Sequence, residues 1–171
     1  MLIRREQPGD PDAIHAVHAA AFAKDGKPGL VEARLVDDLR ALKPAWIPAL
    51  SLVAIIDDTI VGHVCCTRST VEEYPALGLG PLGVAPGHQR GGVGQALVHA
   101  VLGAADALGE TVVVLWGIPT YYPRFGFRPA ADYGIHPAGG TGNEAFQART
   151  LTAYRPEIQG AFRYSAAFGN L

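Results

Sequence analysis

The stretch VAPGHQRGGVGQALVHAVLGAADALG, residues 84–109, places three glycines beside an arginine and then continues as an apolar helical pattern. Glycine costs a helix roughly 1 kcal/mol at an interior position, so a glycine cluster at a helix start needs a separate reason. The first N–H groups of a helix have no partner within it, and the helix dipole adds partial positive charge there. Such an end binds phosphate or pyrophosphate when no side chain blocks it. The segment from Gln89 to Gly94 is therefore a candidate anion-binding loop, to which Arg90 adds a charged contact.

The spacing of this loop differs from two common nucleotide-binding loops. It lacks the G-x-x-x-x-G-K-[ST] pattern of a Walker A loop. It also lacks the G-x-G-x-x-G pattern, because Leu97 stands where the last glycine would be. Glycine content alone leaves two interpretations open: a phosphate-binding loop, or a tight turn before a helix that packs on a sheet.

The residues around the loop predict one βαβ unit. A strand over residues 79–84 is interrupted by Gly80, Pro81 and Gly83, which indicates a bulge or an incomplete ladder. A helix over 91–108 and a buried strand over 111–116 follow. The two strands should lie parallel with a right-handed crossover.

The remainder of the chain predicts a single α+β domain over residues 1–171. Upstream we expect a strand at 2–5, a helix at 11–23 with Asp10 as its N-cap, a second helix ending near Pro44, and a hairpin of strands 50–56 and 60–67. Residues 69–78, STVEEYPALG, are expected to form a loop. Short strands are expected near 146–151 and 161–166.

Composition restricts the classes of protein to which the chain can belong. A net charge of −2 argues against a nucleic-acid binder with a basic face. The N-terminus, MLIRREQPGDPD, has no apolar segment of a signal peptide, and no apolar run is long enough to span a membrane. The two cysteines, Cys65 and Cys66, are adjacent, which fits reduced thiols and a cytoplasmic location. His15 and His18 have no third ligand at suitable spacing, so we expect no metal site and place both histidines on the surface or in a groove.

Two motifs resemble the Gcn5-related N-acetyltransferase (GNAT) family. VAPGHQRGGVG resembles the family's acyl-CoA motif Q/R-x-x-G-x-G/A, with its core at Gln89, Gly92 and Gly94. YYPRFGF resembles the family's tyrosine segment, with Tyr122 as its tyrosine. The order of elements is similar over nearly the whole chain, most of all to a bacterial subgroup of acetyltransferases without a settled substrate. The resemblance implies a mixed central sheet of about seven strands, with a splayed pair of strands 4 and 5, flanked by helices.

The resemblance also implies a cosubstrate, acetyl-CoA, and a role for each matching residue. Backbone groups of the splayed strand would pair with the pantetheine amides, and the glycine loop would hold the pyrophosphate. Together these imply the cofactor-binding residues Leu82, Gly83, Val84, Gln89, Arg90, Gly91, Gly92, Val93, Gly94 and Gln95. Tyr122 would be the catalytic acid, because a phenol with a pKa of about 10 keeps its proton at neutral pH.

The sequence departs from the family at two positions that bear on catalysis. Leu115 stands where many members have asparagine, and residues 76–85 contain no acid where many members carry a glutamate base. Glu72, Glu73 and His63 are candidate bases, with a water-mediated base as the default. The predicted function is acetyl transfer from acetyl-CoA to a primary amine by direct attack in a ternary complex. The alternative is a non-catalytic acyl-CoA-binding or sensing module.

The sequence leaves the acceptor and the oligomeric state open. In this family the acceptor binds opposite the cofactor, which here predicts a groove formed by residues 22–32 and 133–149. Both segments are mixed in charge, so a small-molecule amine and a protein amine remain alternatives, with no nucleic acid or membrane as partner. A homodimer through the last strand is compatible with the resemblance.

Overall fold

The computed structural model describes residues 1–170. These residues include three α-helices: α1 (Pro11–Ala21), α2 (Leu30–Ala41) and α3 (Val93–Ala107). The strands within this part of the chain are β1 (Leu2–Arg5), β2 (Trp46–Ile56), β3 (Thr59–Val71), β4 (Tyr74–Val84), β5 (Val112–Trp116), β6 (Arg128–Pro129), β7 (Ile135–Pro137), β8 (Phe146–Thr150) and β9 (Gly160–Arg163).

The strands form one mixed sheet in the order β1-β2-β3-β4-β5-β8-β6, with β9 joined to β3 and β7 joined to β9. The pair β4–β5 is parallel, as the βαβ pattern predicts, and β7–β9 is also parallel. The described residues thus give nine strands rather than about seven. The additional strands β6 and β7 are two and three residues long, too short to show a periodic pattern in the sequence.

The loop expected at residues 69–78 is a tight hairpin, so that prediction is wrong. β3 continues to Val71 and pairs it with Tyr74, which leaves only Glu72 and Glu73 in the turn. Glu72 has a φ of +49°, in the left-handed region. The polar pair followed by Tyr-Pro indicates a loop in the sequence, but the pairing of long flanking strands decides the local structure.

Helix α1 begins where the sequence predicts, but its predicted N-cap residue does not make a capping hydrogen bond. Asp10 is the N-cap residue and Pro11 follows in the first turn, but the Asp10 carboxylate does not cap the helix. It accepts a hydrogen bond from the backbone N–H of Gln7 at 2.7 Å and pairs with Arg4 at 2.6 Å. Asp10 therefore ties β1 to the beginning of α1.

Helices cover both faces of the sheet. A Cβ added at Gly62 would lie 2.9 Å from Leu97 of α3, whereas the next residue, His63, bonds to His18 of α1. Because successive strand residues face opposite sides, α3 packs on one face and α1 on the other. The largest cluster of buried apolar side chains lies beneath α3.

The two strands at the centre of the sheet separate part of the way along. β4 and β5 pair only at Leu77↔Val113 and Gly78↔Val114. β4 then continues through Gly80 and Pro81 to Val84. Pro81 has no N–H for a ladder, and the register against β3 shifts at this point. The expected splay is confirmed, and it opens a cleft between the two strands.

Candidate active site

A cavity of about 1140 Å³ lies where β4 and β5 separate. Its wall contains these residues predicted from the sequence to bind or act: Leu82, Val84, Gln89, Arg90, Gly92, Gly94, Gln95 and Tyr122. Three other predicted residues, Gly83, Gly91 and Val93, are not among its lining residues. The structure thus brings the end of β4, the glycine loop and the tyrosine segment to one site.

The glycine loop presents the N-terminus of α3 to this cavity. Gln89 folds back and donates from Nε2 to the carbonyl of Val84 at 3.0 Å, closing the turn. Gly92 is the N-cap of α3 with a φ of +88°, which glycine adopts without strain, and no side chain caps the helix. The first intrahelical bond runs from Ala96 to Gly92, so the N–H groups before Ala96 have no helical partner.

Gly94 keeps the approach to these N–H groups open. A Cβ at this position would lie 3.1 Å from the Tyr121 hydroxyl and 3.6 Å from a Val84 methyl group. Any larger side chain would therefore extend into the space between the helix end and the tyrosine segment. This geometry fits a bound pyrophosphate, which needs close backbone contact.

The three predicted cofactor-binding residues that do not line the cavity are Gly83, Gly91 and Val93. Val93 is buried in the core beneath α3. Gly83 faces α1, because a Cβ there would lie 2.7 Å from Nδ1 of His18. A cofactor contact from Gly83, Gly91 or Val93 would use backbone atoms and stays a prediction.

Tyr122 lies in a packed aromatic group beside the splayed strands. Its ring packs against Tyr121 at 5.1 Å and Phe127 at 5.6 Å between centroids. Burial raises the pKa of Tyr122 to about 12, so its hydroxyl is protonated at neutral pH. Gly117 makes room for the ring, since a Cβ there would overlap Tyr122 and lie 2.7 Å from Cδ2. The sequence motif gives no signal for this role of Gly117.

None of the three candidate bases lines the cavity. Glu72 accepts a hydrogen bond from Ala161 N–H at 2.6 Å and pairs with Arg163, so it anchors β9 to the β3–β4 turn. The hydrogen bond from Ala161, with the nearby Arg163, lowers the pKa of Glu72. Glu73 is exposed in the same turn. His63 is fully buried beneath α1.

His18 is fully buried, so its expected place on the surface or in a groove is wrong. Its Nε2 lies 2.8 Å from Nδ1 of His63, and Nε2 of His63 lies 2.9 Å from the Ser51 hydroxyl. Ser51 donates to Glu6 at 2.5 Å, and Glu6 also pairs with Arg40. Burial, and then the charge of Arg40, lowers the pKa of His18 to about 4. Burial also lowers the pKa of His63 well below its usual value, so both rings are neutral at pH 7.

The two cysteines are unsuited to nucleophilic catalysis. Both are fully buried, and burial raises the pKa of Cys65 to about 12 and that of Cys66 well above its usual value. Because the thiolate is the nucleophile, neither side chain is activated. The Cys65 thiol donates instead to the carbonyl of Gly80 at 3.3 Å, beside the break in β4.

The other side of the cavity includes residues that sequence reasoning missed. From the segment 22–32, Phe22 and Glu32 line the wall, but no residue between 133 and 149 does. The remaining wall on this side comes from α2, from the end of β5 and from the C-terminal tail: Leu35, Trp116, Ile118, Tyr164 and Phe168. The tail shows no pattern that would place it there; only long-range packing does.

Residues 1–170 contain neither a cluster of metal ligands nor a membrane-spanning helix. No group of three or more His, Cys, Asp or Glu side chains is arranged to hold a metal ion. No helix in this part of the chain is both long and apolar enough to cross a membrane.

The sequence matches a family model described as an acetyltransferase (GNAT) domain over residues 2–130. The chain therefore belongs to the GNAT family of acetyltransferases. Two relatives from Escherichia coli are named uncharacterized N-acetyltransferases. YjhQ is 35% identical over 133 residues, covering 75% of this chain and 70% of its own length. YhbS is 33% identical over 154 residues, covering 88% of this chain and 87% of its own length.

Two solved structures are similar over almost the whole chain. A GNAT family acetyltransferase from Brucella melitensis, in complex with acetyl-CoA, has a TM-score of 0.79 and 32% identity, covering 98% of this chain and 97% of its own. YhbS from Escherichia coli, in complex with CoA, has a TM-score of 0.83 and 30% identity, covering 98% of this chain and 91% of its own. The single-domain α+β GNAT fold expected from the two motifs is confirmed.

Proposed function

We propose that the protein transfers an acetyl group from acetyl-CoA to a primary amine in a ternary complex. The observation that carries this proposal is the cavity itself, which joins the open N-terminus of α3, the free edge of β4 and the hydroxyl-bearing Tyr122. The CoA and acetyl-CoA complexes of similar GNAT proteins support the same cosubstrate.

Each part of the cavity fits one part of acetyl-CoA. The N–H groups of Gly94 and Gln95, with Arg90 beside them, would hold the pyrophosphate. Leu82 and Val84 lie on the stretch of β4 that no longer pairs with β5, so backbone groups there, apart from the Val84 carbonyl that Gln89 contacts, would be available to the pantetheine amides. Acetyl-CoA supplies an activated acyl group as a thioester.

The side chains of the cavity support one proposal for the proton transfers. Tyr122 keeps its proton at neutral pH because burial raises its pKa to about 12, and it would donate this proton to the departing CoA sulfur. A backbone N–H on β4 would stabilise negative charge on the carbonyl oxygen. Neither cysteine offers a thiolate, which favours direct attack by the amine over a covalent acyl-enzyme. A water molecule would take the amine proton, since Glu72, Glu73 and His63 lie outside the cavity wall.

The test compares Tyr122→Phe with Tyr121→Phe, a matched substitution in the neighbouring ring that also lines the cavity. Transfer is followed by the release of the CoA thiol, and acetyl-CoA affinity by calorimetry. We expect Tyr122→Phe to lower kcat by about 100-fold or more while affinity changes little, and Tyr121→Phe to retain most of the activity.

Each result has a distinct meaning. Undiminished turnover by Tyr122→Phe would remove the acid role but leave the acetyltransferase assignment standing. Binding of acetyl-CoA with no transfer above background to any amine would favour the alternative, an acyl-CoA-binding or sensing module.

A further inference from the structure

Glu32 is an acidic side chain with unusual surroundings. Among residues 1–170 it is partly buried, yet no ion pair or hydrogen bond from another residue reaches its carboxylate. The other partly or fully buried acids are all paired: Glu6 and Asp37 with Arg40, Asp10 with Arg4, and Glu110 with Arg68. Since shielded carboxylates in proteins are normally paired, a free one that faces a cavity points to a cationic ligand.

The backbone fixes Glu32 at the cavity wall. It lies in the first turn of α2, one turn before Leu35, and both side chains line the cavity. The N-cap of α2, Gly29, packs directly on the end of α1, since a Cβ there would lie 2.7 Å from the carbonyl carbon of Phe22. Phe22 also lines the cavity, so close helix–helix contact sets the position of the carboxylate.

Charge is distributed unevenly around the cavity. Its basic lining residues are Arg90 in the glycine loop and Arg124 in the tyrosine segment. Glu32, from α2, is the only acid in the described wall. The basic residues suit the phosphates of CoA, whereas Glu32 offers the opposite charge to a second substrate that comes from the α1–α2 side.

Many of the large side chains that line the cavity together with Glu32 are apolar. Phe22, Trp116 and Ile118 line the cavity although they are 36%, 47% and 66% exposed. Leu35, Leu79 and Phe168 add further apolar wall. Large apolar side chains left in solvent beside a cavity indicate a surface that a ligand covers. A hydroxyl-rich acceptor would find few hydrogen-bonding side chains on this wall.

We infer that Glu32 binds the ammonium group of the acceptor, and that the acceptor is a primary amine carried on an apolar, preferably aromatic, body. This inference rests on the proposed acetyl transfer and names the class of its second substrate. The ion pair recruits the protonated amine, which is its main form at neutral pH, and the apolar wall covers the rest of the molecule. Loss of the proton to water then precedes attack.

The first experiment measures acetyl transfer to 2-phenylethylamine, glucosamine and glutamate, each with acetyl-CoA. We expect kcat/KM to be highest for 2-phenylethylamine. Glu32→Gln should raise the KM for this amine by about 10- to 100-fold, the range expected for one lost charged hydrogen bond, and leave the acetyl-CoA affinity unchanged. Asp38→Asn is the matched control on the same helix, because Asp38 is exposed and outside the cavity wall; it should leave KM unchanged.

A second readout does not depend on turnover. Binding of 2-phenylethylamine to the CoA-saturated protein is measured by calorimetry, where Glu32→Gln should weaken it by the same factor. Equal KM values for wild type and Glu32→Gln would overturn the inference, as would preferred transfer to glucosamine or glutamate, or no binding of 2-phenylethylamine. The proposed function fails separately, if the wild-type protein does not bind acetyl-CoA or transfers acetyl to no amine.

Discussion

Lowering the pH from 7.5 to 5 should destabilise the protein through the buried pair formed by His18 and His63. Both rings are buried and neutral at neutral pH, and His63 Nδ1 lies 2.8 Å from His18 Nε2. In the unfolded chain each histidine takes up a proton near pH 6.5. In the folded protein burial lowers the pKa of His18 to about 4. Between these two values the unfolded state binds more protons, so the free energy of unfolding falls as the pH falls.

The size of the effect follows from the two pKa values. At pH 5 the unfolded His18 is almost fully protonated and the folded one almost fully neutral. The linkage relation then gives a loss of about 2 kcal/mol between pH 7.5 and pH 5 from His18 alone. The pKa of His63 is lowered in the same direction, so it adds to the loss.

The assay is urea denaturation of the wild type and of His18→Gln at both pH values. Glutamine can donate to His63 but cannot take up a proton in this range. The variant should therefore lose about 2 kcal/mol less than the wild type between pH 7.5 and pH 5. Equal losses in the two proteins, or a wild type more stable at pH 5, would refute the assignment of a neutral buried pair.

Three further predictions test the packing of Tyr122, the start of α3 and the role of Glu72. Gly117→Ala should lower kcat on the order of 10²-fold, measured by thiol release, because its Cβ would displace the Tyr122 ring; unchanged kcat would show that this ring position does not matter. Gly92→Ala should destabilise the protein by about 1 kcal/mol, because φ at this position is +88°. Gly103→Ala, in the interior of α3 where a Cβ meets nothing, should stabilise the protein by about 1 kcal/mol. Thermal unfolding measures both variants, and shifts in Tm of the same sign would contradict the reasoning. Glu72→Gln should keep its kcat, since Glu72 bonds to Ala161 outside the cavity wall; a large loss of kcat without a loss of fold would make it the base after all.

The sequence predicts the half of the site that is built from local motifs. The glycine loop, the break in β4 and Tyr122 each depend on residues close together in the chain, and all three border one cavity. Gly92 and Pro81 have backbone preferences strong enough to be recognised without a structure.

Most of the other half depends on long-range packing, which the sequence does not show. The predicted acceptor groove includes residues 22–32, and Phe22 and Glu32 do line the cavity, but no local pattern singles out Glu32 until α2 is placed against it. Tyr164 and Phe168 both line the wall, but the short strand expected near 161–166 gives no indication that this part of the chain reaches the cavity. The burial of His18 has no local signal, because its partner His63 is 45 positions away and the space for its ring comes from Gly83 of β4.

Thermal unfolding with and without acetyl-CoA tests the central claim most directly. Acetyl-CoA at 100 times its Kd should stabilise the wild type by about 2.7 kcal/mol, a rise in Tm of roughly 5–10 °C. Gly94→Val, whose side chain would enter the space between α3 and Tyr121, should fold but show a much smaller rise. An unchanged Tm for folded wild-type protein at millimolar acetyl-CoA would contradict the account, and would leave the glycine loop as a tight turn before a helix.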